Sequence, residues 1–90
     1  MTTLELGMMV ATPGALEALR EAHQAAWTFF QRHADGDWGD IPPEDRAENE
    51  VSIKEGFRVM SVYTLSTGIK IWIITEADRS TTTILLPDEY

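Results

Sequence analysis

GIKIWIITEADRSTTTILLP, Gly68 to Pro87, decides how this chain folds. Ile69 to Thr75 is β-branched or aromatic at every position except Lys70, and Thr81 to Leu86 continues in the same vein. Such residues fit a pleated, packed surface. The polar break between them, Glu76-Ala77-Asp78-Arg79-Ser80, places Asp and Ser where their side chains close local turns. Two antiparallel strands joined by a charged tip follow. Ile71 to Ile74 is apolar on both alternating faces, which suits a central strand.

Working outward, Phe57 to Leu65 alternates loosely and is expected as a third strand, with Ser66-Thr67-Gly68 turning into the central one. Leu4 to Ala11 is expected as a short strand interrupted at Gly7, which marks a bulge or a close backbone approach. Thr12 is a good N-cap and Pro13 is preorganised for the first helical position. From Pro13 to His33, Leu16, Leu19, His23, Ala26, Trp27 and Phe30 fall within one arc at helical periodicity. That predicts one continuous amphipathic helix, with Leu16, Leu19, Trp27 and Phe30 buried and His23 at the core edge. Pro43 to Glu55 predicts a second, poorly amphipathic helix ended by Gly56. The expected class is α+β, in the order β-α-α-β-β-β. One long helix and one shorter helix pack on an antiparallel meander of three or four strands.

Ninety residues predict a single domain with no interior room for a large cofactor, so none is expected. The chain has no cysteine, and His23 and His33 alone cannot build a structural zinc site, so no metal is expected either. The net charge of −8 disfavours direct nucleic-acid binding and anionic membranes, which require clustered Lys and Arg, and permits a partner with a basic surface. The N-terminus lacks a basic region, and its apolar run is too short for a signal peptide or a membrane span. A cytoplasmic location is expected.

Asp35 to Glu50 carries seven of the fifteen acids and a single base, Arg46. Asp35-Gly36-Asp37-Trp38-Gly39-Asp40 resembles the start of an EF-hand calcium loop. The match fails at positions 5, 6 and 12, occupied by Gly39, Asp40 and Arg46. Asp35, Asp37, Asp40, Glu44, Asp45 and Glu48 are therefore candidate partner-binding residues, with Trp38 among them either as an apolar anchor or as a core residue folded back. The turn bearing Glu76, Asp78 and Arg79 is the nearest approach to a catalytic constellation, with Tyr63 or His33 as its possible complement. Its residues also have an ordinary reason to be there, as turn formers and as an ion pair. No Ser-His-Asp pattern, phosphate loop or HExxH motif is present.

VATPGALEAL (Val10–Leu19), GDWGD (Gly36–Asp40), ENE (Glu48–Glu50) and WIITEADRSTTTILLPDEY (Trp72–Tyr90) resemble a family of small, largely uncharacterised bacterial proteins found on plasmids and other mobile elements. Some are described as plasmid-related proteins, or as a type I restriction subunit, too large a role for so short a chain. The resemblance implies a setting near nucleic-acid machinery and brings no mechanism. Relatives tend to carry Gly and Pro near His23 to Ala26, implying two helices, whereas HQAA here favours one. The leading expectation is an accessory or anti-defence factor that binds a basic nucleic-acid-processing enzyme. The alternatives are a RelE-like ribonuclease, an analogy of fold alone weakened by the scarcity of bases, and a structural homodimer.

Overall fold

The computed structural model describes residues 4–90. In chain order the elements are β1 (Met8–Ala11), α1 (Pro13–Ala22), α2 (Ala26–Ala34), α3 (Pro43–Glu55), β2 (Val59–Thr64), β3 (Lys70–Thr75) and β4 (Thr81–Leu85), closed by a 3-10 turn at Pro87–Glu89. β3 lies between β2 and β4, antiparallel to both, as its two-sided apolar run requires. The sheet order is β1-β4-β3-β2. β1 pairs parallel with β4, Met8 opposite Thr81 and Ala11 opposite Ile84, so the sheet is mixed and not a pure antiparallel meander.

The expected continuous helix is broken. Thr12 caps α1 as anticipated, its Oγ1 accepting from the Ala15 N–H. The helix then stops at His23, which takes the left-handed conformation at φ 55°. His23 N–H donates to the Arg20 carbonyl and Gln24 N–H to the Leu19 carbonyl, a Schellman closure achieved without glycine. The β2–β3 turn holds this break in place: Ser66 N–H donates to Gln24 Oε1 and Ser66 Oγ to the Ala22 carbonyl. Tertiary bonds thus offset the local cost of a non-glycine residue at positive φ.

The break changes which face is buried. α1 turns Ala15, Ala18, Leu19 and Ala22 inward, and α2 turns in Phe29, Phe30 and His33. With Tyr63, Leu65, Ile71, Ile73 and Ile84 these apolar residues form the main core on one face of the sheet. Leu19 and Phe30 are buried as expected, but Leu16 is exposed, Trp27 is 64% exposed and His23 faces solvent. A second, smaller core gathers Leu4, Trp38 and Val59 with Leu6, Ile41 and Ile53 beside α3.

The N-terminal strand is shorter than expected, but Gly7 does mark a close approach. Its φ is +63°, and a Cβ there would overlap the Arg79 and Ser80 carbonyls. The other sheet face is covered in part by the C-terminus, where Tyr90 packs edge-on against Trp72 at 5.6 Å. Among the described residues no helix is long and apolar enough to cross a membrane.

Candidate functional site: the acidic helix and its groove

α3 begins where two prolines fix the chain, Pro42 extended and Pro43 at the first helical position, with Glu44 and Asp45 in the first turn beside the positive end of the helix dipole. Only Asn49 is buried along its thirteen residues. That side chain fixes the helix to the sheet. Its Nδ2 donates to the Met60 carbonyl at 2.8 Å, and its Oδ1 accepts from the Met60 N–H at 3.3 Å. One amide thus satisfies both outward-facing backbone groups of Met60 on β2. The next outward pair, at Val62, is satisfied by Trp38 O and Asp40 N. The β2 edge is therefore closed to further strand pairing.

Gly39 makes that second closure sterically possible. It sits at φ +73°, and a Cβ would overlap the Val62 carbonyl and the Tyr63 ring. Tyr63 donates to the Asp37 carbonyl at 2.6 Å while the Arg32 guanidinium lies 4.6 Å from its ring centroid. Burial pushes the Tyr63 phenol up to about 12.

The candidate acids divide into two groups. Asp35, Asp37 and Asp40 are tied into the loop between α2 and α3. Asp35 accepts from Gln31, and Asp40 accepts from the Thr64 hydroxyl at 2.7 Å. Asp37 pairs with Arg32 at 2.8 Å, and that bond holds its carboxyl below the ordinary Asp value. Glu44, Asp45 and Glu48 instead project from α3 into solvent, and neither ion pair among the described residues involves them.

Trp38 is corrected as a contact residue. It is 2% exposed, packs edge-on to His33 at 5.6 Å, and donates from Nε1 to Glu50 at 3.3 Å. It folds back onto the core and leaves no face for a partner. The exposed apolar residues on this side are Val51 and Phe57. With Ile41 and Met60 they line a groove of about 570 Å³ to which Asp45 and Glu48 contribute carboxylates and Arg58 the one base. Sequence reasoning missed Phe57 by assigning it to a strand; it lies in the loop after α3.

The charged turn is a structural clamp. Arg79 donates to the carbonyls of Phe57 (2.7 Å), Ser52 (3.0 Å) and Glu76 (3.2 Å), joining the β3–β4 turn to the C-terminal end of α3. Its partner at Glu76 is the backbone carbonyl and not the carboxylate. Asp78 accepts from the Ser80 N–H at 3.0 Å, an ordinary Asx turn.

His33 joins a different set of groups, buried under the helices. Its Nδ1 bonds Ser61 Oγ and its Nε2 bonds Thr75 Oγ1 at 2.9 Å. Thr75 bonds Thr82 at 2.7 Å, and Thr82 donates to the Leu6 carbonyl at 2.7 Å. A carbonyl can only accept, so the direction of every bond follows. Thr82 spends its proton on Leu6, Thr75 donates to Thr82, His33 Nε2–H donates to Thr75, and Ser61 donates to Nδ1. Burial lowers the His33 pKa to about 4, keeping the ring neutral. The pairing of a serine with an imidazole resembles a nucleophile and its base, but both are fully buried, and the chain ends on a backbone carbonyl. It ties α2 to three strands and has no substrate access in this structure.

Among the described residues no three His, Asp or Glu side chains converge as a metal site. The chain matches no protein-family model, no curated protein and no solved structure.

Proposed function

We propose that this chain is a protein-binding module that presents the acidic face of α3 and the adjoining groove to a basic, partly apolar segment of a partner protein. The observation that carries this reading is the juxtaposition of Asp45 and Glu48 with Val51, Phe57, Ile41 and Met60 around one groove. Carboxylates without internal partners steer a cation, and exposed apolar side chains beside them supply area to hold it. Asn49, Ile53 and Glu50 tie the helix to the fold's interior, and Glu44, Asp45 and Glu48 are left to solvent.

The chain's own bases favour a protein partner over direct contact with nucleic acid. Arg20 pairs with Glu17, Arg32 with Asp37, Arg46 with the Gly39 carbonyl, and Arg79 with three carbonyls; Lys54, Arg58 and Lys70 remain, too few to form a basic stripe that tracks phosphates. The resemblance to small plasmid proteins favours a nucleic-acid-processing enzyme as that partner, with the chain as an accessory or anti-defence factor.

The test compares the wild type with a Glu44→Gln, Asp45→Asn, Glu48→Gln variant in a pulldown from the native host, followed by binding kinetics on the recovered protein at two salt concentrations. The neutralised variant is expected to associate at least about tenfold more slowly with a flatter salt dependence. Phe57→Ala is expected chiefly to speed dissociation. Unchanged association in the triple variant would reduce α3 to a solvated surface.

A further inference from the structure

The two edges of the sheet are treated differently. At β2, Asn49 and the Trp38–Asp40 segment occupy the outward backbone groups of Met60 and Val62. At β1 nothing among the described residues does. Met8 N–H donates to Ser80 O and Thr12 N–H to Ile84 O, so Met8, Val10 and Thr12 face β4. By strand alternation Met9 and Ala11 turn their N–H and C=O groups away from the sheet. Natural edges are commonly guarded by charge, proline or a bulge. β1 reads MMVA, with Met8 68% and Met9 47% exposed.

We infer that β1 pairs antiparallel with β1 of a second copy about a two-fold axis at Val10. The register follows from which groups are free. In an antiparallel ladder, hydrogen-bonded pairs alternate with non-hydrogen-bonded ones. Placing Val10 opposite itself as a non-bonded pair sets Met9 opposite Ala11 of the partner on both sides of the axis. All the outward groups of Met9 and Ala11 are then satisfied, giving four backbone hydrogen bonds. Met8 comes to lie opposite Thr12 of the partner, covering an exposed methionine. The result is a continuous eight-stranded sheet across the dimer. α3 and its groove abut β2, at the far edge, so the pairing leaves them uncovered and stands independently of the function proposed above.

Four bonds and four apolar side chains from each copy make a weak, concentration-dependent dimer. Each copy carries a net charge of −8, so added salt strengthens the association by screening repulsion.

The experiment is analytical ultracentrifugation of the full chain across micromolar to millimolar concentration, together with three variants. Met9→Pro removes an outward N–H without touching any β1–β4 bond, so the fold is retained and dimerisation falls by at least about tenfold. In the cysteine-free background, Val10→Cys places two thiols on a non-hydrogen-bonded pair with Cα atoms about 4.5 Å apart, within reach of a disulfide. Mild oxidation is therefore expected to give a covalent dimer in high yield. Met9→Cys, which faces Ala11 of the partner and not itself, is expected to give little. Three results would overturn the inference: a monomer at every concentration, a dimer indifferent to Met9→Pro, or equal cross-linking of the two cysteine variants. Should Met9→Pro fail to fold, the contrast between the cysteine variants decides alone.

Discussion

Acidification should destabilise this protein through His33 before its carboxylates titrate. The ring is fully buried, hydrogen-bonded on both nitrogens by hydroxyls, and its pKa is lowered to about 4 by desolvation. In the unfolded chain a histidine titrates near 6.5. Between these values the unfolded state binds the extra proton, so stability rises with pH: the contribution is fully present above about 6.5 and is lost as pH falls toward about 4. At about 1.4 kcal/mol per pH unit for one proton, the whole window is worth about 3 kcal/mol. Urea unfolding of the wild type at half-unit steps from pH 7 to 4.5 measures it, with His33→Gln as the non-titrating reference. The wild-type slope should exceed the reference slope by about 1 kcal/mol per pH unit through the middle of the window. Ring nitrogen shifts at pH 7 should report the Nε2–H tautomer that the hydroxyl relay dictates. Parallel slopes for the two proteins, or an Nδ1–H ring, would refute the reasoning.

Two further perturbations separate packing from exposure. Trp38→Ala should cost about 3–5 kcal/mol in denaturant unfolding, since it empties the smaller core, whereas Trp27→Ala on the exposed face of α2 should stay within about 0.5 kcal/mol. Comparable losses would mean that α2 is rotated. Gly39→Ala should cost at least about 2 kcal/mol, because alanine is strained at φ +73° and its methyl meets the Val62 carbonyl. Gly68→Ala, at positive φ with open space around it, is the milder control, and a smaller loss at Gly39 than at Gly68 would argue against the edge closure.

The strands were legible because their evidence is local. Alternation and β-branching from Phe57 to Leu86, turn residues at Ser66–Gly68 and Glu76–Ser80, and two-sided apolarity at Ile71–Ile74 yielded three strands and placed β3 centrally. Thr12, Pro13, Pro43 and Gly56 act within a single turn of chain, so the starts of α1 and α3 and the end of α3 were readable too. Glu44, Asp45 and Glu48 were legible as exposed charge, since so small a core offers them no partner.

Tertiary contacts decided the rest. The break at His23 depends on Ser66, more than forty residues away, and no glycine or proline announces it in this sequence. Weighting large apolar side chains selected the stripe through Leu16 and Trp27. The face that packs is instead the alanine face of α1, because small side chains let a helix approach the sheet closely. The stripe through Ala15, Ala18 and Ala22 continues to Phe29 and His33, so the histidine that matters was carried by the face the larger residues obscured. The pairing of β1 with β4, the closure of one sheet edge and the openness of the other are relations between distant segments. Backbone groups are the same at every residue, so only the arrangement of the whole chain determines which of them remain unpaired.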